Sequence, residues 1–65
     1  MQIPLTKRQA TVLNQLIVGR SIVQIAATLD VSVSAVRQTL DQLKIKLSAR
    51  NLHELIAQGV RREFQ

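Results

Sequence analysis

The sequence predicts an all-α domain of four short helices, with no strand and no wing. Three observations lead to this prediction. Apolar residues recur at helical spacing along the chain, and no segment alternates apolar and polar residues as a half-buried strand does. A Ser, Thr or Asn precedes each apolar stripe, where a helix N-cap is favoured. The chain of 65 residues is the size of one domain, so we expect a single unit over residues 1–65.

The first helix is expected at about residues 7–18. Thr6 lies three residues before Gln9, which is the spacing of a capping box, and Pro4 disfavours an earlier start. Gly19 can adopt a left-handed conformation and is expected to end the helix. The apolar face consists of Val12, Leu13, Leu16 and Ile17.

The second helix is expected at about residues 22–29, with Ser21 as its N-cap. Its stripe has the spacing i, i+3, i+4, i+7 and consists of Ile22, Ile25, Ala26 and Leu29. Asp30 follows where the chain must turn, and Asp is one of the few non-glycine residues that tolerate a positive φ.

The third helix is expected at about residues 33–47, with Ser32 as its N-cap. Its apolar stripe consists of Val36, Leu40, Leu43 and Leu47. The opposite face is polar and carries Ser34, Arg37, Gln38, Asp41 and Lys44. The sequence therefore predicts an amphipathic helix with a hydrophilic outer surface.

The fourth helix is expected at about residues 52–62, after a short break at residues 48–50. Asn51 lies three residues before Glu54, which is a second capping-box spacing. The apolar stripe consists of Leu52, Leu55, Ile56 and Val60. Gly59 is expected inside this helix, with fraying near Arg62.

The charge balance favours a polyanionic partner. The chain has nine Lys and Arg residues but only four Asp and Glu, which gives a formal net charge of +5. Such an excess suits nucleic acid or an acidic membrane surface. No helix pairs a basic face with a large exposed apolar one, which argues against a membrane. No apolar run reaches membrane-spanning length and no signal peptide is evident, so a cytoplasmic protein is expected.

Catalysis has no candidate residues in this sequence. Cysteine is absent, so disulfides, thiolate zinc sites and cysteine nucleophiles are excluded. His53 precedes Glu54 but no second His follows at the zinc-protease spacing. No glycine-rich phosphate loop is present. We expect neither an enzyme nor a cofactor, metal or small-molecule substrate.

The second and third helices have the spacing of a helix-turn-helix unit. Ala26 stands where the two helices cross and only a small side chain fits. Asp30, four residues later, stands where the turn needs a left-handed residue, and Val36, ten residues after the alanine, fills the angle between the helices. A plain helical bundle would need the same stripes but not this turn.

Further landmarks extend over most of the chain, from Leu5 to about Arg62. They are Leu5-Thr6-Lys7-Arg8, Val12-Leu13, Gly19, Ser21, Ile25-Ala26, Leu29, Val31-Ser32, Val36-Arg37, Leu40, Lys46-Leu47, Arg50-Asn51 and Glu54. In these positions the sequence resembles the LuxR/FixJ/GerE-type helix-turn-helix DNA-binding domains of bacterial regulators, and in its shortness it is similar to stand-alone members. The resemblance implies that the third helix lies in the major groove, that the second braces it, and that the fourth forms a dimer contact.

Several positions depart from the family pattern. Members usually carry Glu at Gln9 and Gln24, Thr at Ala35 and His at Thr39. They carry Gly-Val at Ser48-Ala49, and often a polar or basic residue at Val23. Two of these changes remove possible phosphate donors from the expected DNA-facing side, namely Ala35 and Val23.

Four residues of the third helix are predicted to read bases. Arg37 suits guanine O6 and N7, and Gln38 suits adenine N6 and N7. Asp41 either accepts from cytosine N4 or pairs with Arg37 four residues earlier. Val33 either touches a thymine methyl or packs locally. We expect Arg37→Ala to relax base preference.

Two further groups complete the predicted interface. Phosphate contacts are expected from Arg20, Ser32, Ser34, Thr39, Lys44, Lys46 and Arg50. Dimerisation is expected from Leu52, Leu55, Ile56, Gly59 and Val60. We expect Lys46→Ala to weaken binding to all DNA sequences alike.

These residues predict a sequence-specific regulator that binds double-stranded DNA in the bacterial nucleoid as a homodimer. The alternative is a protein-interaction module, such as an antagonist of a related regulator, that keeps the fold and binds DNA weakly or not at all. Its exposed apolar anchors would be Val23, Val33 and Ile45. Whether the chain is a complete protein or an output domain, and an activator or a repressor, stays open.

Overall fold

The computed structural model describes residues 4–64, with side chains described as far as Arg61. The four helices are α1 (Lys7–Ile17), α2 (Ile22–Leu29), α3 (Val33–Lys46) and α4 (Leu52–Phe64). No strand occurs within residues 4–64, so the fold is all-α, as the sequence predicts. The helices α1 and α3 each end one residue before the expected bound, and α4 continues two residues past it. None of the four is long and apolar enough to cross a membrane.

Reciprocal capping boxes start the first two helices. The amide of Gln9 donates to Thr6 Oγ1 (3.1 Å), and the amide of Thr6 donates to Gln9 Oε1 (3.0 Å). Ser21 and Gln24 make the same pair of bonds at α2, at 3.1 and 2.9 Å. Each box satisfies amide donors that have no partner inside the helix. Ser21 is the expected N-cap of α2, and the second bond, from the amide of Ser21 to Gln24 Oε1, is an addition to that prediction.

The other two helices are capped differently. The amide of Ala35 donates to Ser32 Oγ (3.0 Å), which confirms Ser32 as the N-cap of α3. Asn51 Oδ1 accepts from the amide of Glu54 (2.9 Å), but Glu54 Oε2 accepts from the amide of Arg50 (2.6 Å) rather than from Asn51. The expected capping box at α4 is therefore only half formed.

Within residues 4–64, three residues with positive φ redirect the chain after a helix. Gly19 (φ 94°) follows α1 and Asp30 (φ 56°) follows α2, in agreement with the sequence. The third, Ser48 (φ 54°), lies beyond α3, and its neighbour Ala49 donates its amide to Lys44 O (2.8 Å). A left-handed residue costs a non-glycine side chain about 1 kcal/mol or more, so Ser48 marks a point of local strain.

One apolar core joins all four helices. α1 packs against each of the other three, while α3 contacts both α2 and α4. The buried apolar residues are Val12, Leu13, Leu16, Ile25, Ala26, Val36, Leu40, Leu43, Leu47 and Leu55. The predicted stripes of α1 and α3 thus face inward, which leaves the polar side of α3 at the surface.

Gly59 lies inside α4 and permits its close approach to α1. A Cβ atom at this position would lie 2.6 Å from Ile17 Cδ1 and 3.0 Å from Leu13 Cδ1. Contacts below 3 Å require neighbouring atoms to move, so only glycine fits without displacement. Gly59 therefore allows the ends of the Ile17 and Leu13 side chains to lie directly against the backbone of α4.

Candidate nucleic-acid interface

The turn between α2 and α3 has the local geometry that the sequence predicts. Asp30 adopts the left-handed conformation (φ 56°, ψ 46°), and the amide of Val31 donates to Ala26 O (3.0 Å). Ala26 and Val36 are both buried in the core. The α2–α3 unit consequently turns its apolar side inward and leaves the outer face of α3 uncovered by the described chain.

Arg37, Asp41 and Lys44 follow one another at intervals of four and three residues on that outer face. Asp41 forms an ion pair with Lys44 (Oδ1 to Nζ, 3.5 Å), and not with Arg37 as one of the two interpretations of Asp41 proposed. Within the described residues Arg37 makes no ion pair. Its guanidinium donors are thus available to an incoming acceptor. Gln38, next to it, is exposed as well.

A shallow groove of about 280 Å³ runs beside this face. Ile22, Leu40 and Leu52 contribute apolar surface, and the three charged residues of the outer face line the groove as well. This volume is just below that of small-molecule sites, which is about 300–1,000 Å³. The groove is therefore an open depression beside the outer face of α3 rather than an enclosed ligand cavity.

Val33, the fourth predicted base reader, is half-buried and packs against the core. Local packing, one of the two interpretations of this residue, is therefore present in the structure. Val33 also occupies the first turn of α3, where backbone amides have no partner inside the helix.

Among the predicted phosphate contacts, Arg20, Ser32 and Ser34 are exposed. Ser32 Oγ accepts from Ala35, so its own hydroxyl proton can still be donated. The free amides of the first turn of α3 lie beside these two serines, and helix N-termini favour anions. This end of α3 therefore combines several donors for a phosphate.

The structure corrects the assignment of Thr39 as a phosphate contact. Its side chain is only 6% exposed, and Oγ1 donates to Ala35 O (3.0 Å). Because the hydroxyl proton is already used and the residue is buried, Thr39 cannot reach a phosphate.

Besides Lys44, two of the predicted basic phosphate contacts have partners within the protein. Arg50 is exposed and its Nε lies 3.5 Å from Glu54 Oε1, a surface ion pair that solvent and salt weaken. Lys46 Nζ donates to Gln9 Oε1 (2.9 Å) and to Pro4 O (3.3 Å). Lys46 follows Arg37 by nine residues, about two and a half helical turns, and so lies on the opposite side of α3.

The predicted dimer residues divide into two groups. Leu52 and Val60 are 36% and 38% exposed, and Ile56, which lies midway between them in sequence, is half-buried. Leu55 and Gly59 are buried, so their assignment to a dimer contact is corrected. They face the core of their own chain, whereas the other three are spaced four residues apart and share one side of α4.

Apolar side chains are also exposed away from α4. Val23 and Ile45, two of the three anchors of the alternative interpretation, are 65% and 79% exposed. Val18, at the C-cap of α1, is exposed too and was not singled out from the sequence. Because Val18 directly follows Ile17, a residue of the predicted apolar face, the spacing of apolar residues did not indicate that Val18 would be exposed.

A helix-turn-helix unit with the polar outer face of its second helix exposed is the arrangement typical of DNA-binding domains. The family described as "Bacterial regulatory proteins, luxR family" (GerE) matches residues 3–58. The chain belongs to this family, whose members are DNA-binding regulators rather than enzymes. No curated protein and no solved structure gives a significant match.

Proposed function

We propose that this chain is a transcription regulator that binds double-stranded DNA sequence-specifically, with α3 in the major groove. The observation that carries the proposal is the outer face of α3, where Arg37 is exposed and without an ion pair in the described chain. An α-helix fits the major groove, and Arg is the residue best suited to guanine. The site of action would be the bacterial cytoplasm, on nucleoid DNA.

Base reading would centre on Arg37, with Gln38 beside it as a partner for adenine. Asp41 is suited to cytosine N4, and its ion pair with Lys44 offsets part of its repulsion by phosphate. Val33 would contribute only the part of its side chain that packing leaves open, against a thymine methyl. This division predicts one strong base preference and weaker preferences around it.

Phosphate binding would come from the amino-terminal end of α3 and from the flanking cations. Ser32, Ser34 and the free amides of the first turn supply neutral donors. Arg20, Lys44 and Arg50 supply charge, although Lys44 and Arg50 must compete with their own carboxylate partners. Each phosphate neutralised by a cation adds about 0.9 to the slope of log affinity against log salt concentration.

A homodimer formed through Leu52, Ile56 and Val60 would supply the affinity that one copy lacks. A single small module buries only about 600–1,000 Å² on DNA. The three residues form an apolar stripe on one side of α4, which a second copy would cover in a two-fold arrangement. Two copies of α3 would then read two related half-sites.

The test is the selection of bound duplexes from a random pool. The most enriched duplex is then titrated with the protein at several salt concentrations. We expect a defined consensus and an affinity that falls steeply with salt. Arg8→Ala, which removes an exposed arginine of α1 with no assigned role, is the matched control for Arg37→Ala. Failure to enrich any sequence, together with a flat salt dependence, would contradict the proposal.

The second candidate function is a protein-interaction module that antagonises a related regulator. The exposure of Val23 and Ile45 favours it, since large apolar side chains at the surface suit a protein partner. In this case the titration shows no salt slope, and polar substitutions at Val23 and Ile45 abolish the partner complex while leaving the fold intact.

A further inference from the structure

A cluster of three polar side chains ties α3 to the start of α1. Gln9 is only 6% exposed, and its carbonyl oxygen accepts from the amide of Thr6 (3.0 Å) and from Lys46 Nζ (2.9 Å). Its amide nitrogen donates to Gln42 Oε1 (3.2 Å). Gln9, Gln42 and Lys46 are called the Gln9 cluster below.

The cluster occupies both acceptor positions of the Gln9 carbonyl. One acceptor position completes the capping box of α1, and the other receives Lys46 from α3. Gln42 and Lys46 are four residues apart, so two successive turns of α3 contact the same amide. These bonds fix both the position of the carboxyl-terminal half of α3 along its axis and its rotation about that axis, relative to α1.

Lys46 is directed to this contact and not to the DNA-facing side. Its ammonium has three donors, and two of them bond to Gln9 and to Pro4. The residue lies about two and a half turns from Arg37, on the opposite side of the helix. A phosphate close to the Arg37 side of α3 would therefore lie on the other side of the helix from Lys46.

We infer that Lys46 is a positioning residue, which acts through Gln9 to fix the orientation of α3 for base reading, and that it contacts no DNA phosphate. The inference rests on the proposed DNA-binding function and replaces the phosphate role expected from the sequence. The other end of α3 is held by the turn at Asp30. With both ends fixed, a small change at the Gln9 cluster changes the angle at which Arg37 meets a base.

The decisive comparison is between Lys46→Met and Lys44→Met. Both changes remove one lysine charge from α3 and keep the aliphatic chain. Lys46→Met should lower the preference for the selected duplex over a scrambled one by about threefold or more, without changing the salt slope. Lys44→Met should reduce the salt slope by about one unit. Circular dichroism defines a temperature at which every variant is folded, and the titrations are made there.

A second variant separates positioning from general loss of packing. In Gln9→Glu the carboxylate can accept the same bonds from Thr6 and Lys46, and the Gln42 amide can turn to donate. This variant should therefore keep the base preference. In Gln9→Met those bonds are lost, so the preference should fall as in Lys46→Met, and combining the two methionines should add nothing further.

Three results would overturn the inference. The first is a salt slope that falls by about one unit in Lys46→Met with equal losses on both duplexes, which identifies a phosphate contact. The second is additive effects of Gln9→Met and Lys46→Met on thermal unfolding, which shows that the two side chains are not coupled. An unchanged base preference in folded Lys46→Met would also overturn it. If the wild-type chain binds no DNA, the proposed function fails, and the unfolding cycle still decides whether Lys46 acts through Gln9.

Discussion

The two halves of α3 hold their polar side chains in different ways. In the amino-terminal half, side-chain bonds stay within the helix and its cap, as between Thr39 and Ala35, and Arg37 has no ion pair in the described chain. In the carboxyl-terminal half, Gln42 and Lys46 bond across to α1. Arg37 keeps its donors available to an external partner, whereas Lys46 donates to Gln9 and Gln42 accepts from it, and these two bonds hold the helix in place.

This difference indicates how a small domain can present a precise surface without a large core. A side chain without an internal partner binds DNA at a lower cost, because no existing bond has to be broken first. The element that carries it must nevertheless be rigid. The four predictions below test this division, beginning with the largest expected effect.

Arg37→Ala should cause the largest loss, because it removes the one free cation of the described amino-terminal half. A bidentate base contact discriminates by about 1–3 kcal/mol, so the preferred duplex should lose roughly 5- to 150-fold in affinity. A scrambled duplex should lose much less, and thermal stability should hardly change. Equal losses of affinity for the two duplexes in a competition titration would show that Arg37 does not read a base.

Asp41→Asn should strengthen binding to all duplexes at low salt. The change removes a carboxylate near the phosphates and releases Lys44 from its 3.5 Å ion pair. An exposed charge contributes about 1 kcal/mol, so we expect a gain of about three- to tenfold that shrinks as salt is added. Preference for cytosine at the contacted position should fall.

The matched control for Asp41→Asn is Glu54→Gln, which removes a carboxylate paired with Arg50 at the same distance. Both changes raise the net charge by one, but only Asp41 lies on the outer face of α3. Glu54→Gln should leave the base preference unchanged. A loss of preference in the control would locate base reading outside α3.

Ser48→Gly should stabilise the fold by about 0.5–1 kcal/mol, because glycine adopts the observed φ of 54° without a Cβ penalty. Ala57→Gly, on the exposed side of α4, should have the opposite sign and a similar size. Thermal unfolding of the two variants measures both effects. DNA affinity should not change in Ser48→Gly, because Ser48 lies beyond the end of α3 and has no assigned contact with DNA.

Thr39→Val should have the smallest effect, with DNA affinity within about twofold of the wild type. The buried hydroxyl bonds to Ala35 O and faces away from solvent. Ser34→Ala, on the open side of the same half, should lose about two- to tenfold, the value of one hydrogen bond. A larger loss of DNA affinity in Thr39→Val than in Ser34→Ala would show that the Thr39 side of α3, and not the Ser34 side, contacts DNA.

Local signals made the backbone predictable from the sequence. Thr6, Ser21 and Ser32 each act within three residues, and Asp30 acts on its own φ. Such short-range preferences can be read directly from neighbouring residues. The four helices and the turn of the helix-turn-helix unit were found for this reason.

Long-range partners were not predictable in the same way. The bonds of Lys46 reach back 37 residues to Gln9 and 42 to Pro4, and nothing near Lys46 indicates them. The apolar stripe of α4 was broad, so its pattern could not show that Leu55 faces the core while Val60 faces solvent. Packing between helices decides both cases.

Gly59 has no side chain, so α4 packs directly on α1. Residues of α1 can therefore affect the position of the exposed apolar stripe of α4, although α1 is not part of that stripe. Gly59 of α4 lies against the ends of the Ile17 and Leu13 side chains, so we expect a bulkier residue at either position to shift α4. The stripe of Leu52, Ile56 and Val60 would shift with it. In the proposed two-fold pair such a shift would alter the separation of the two α3 helices, so a substitution in α1 alone would change the half-site spacing that the pair fits.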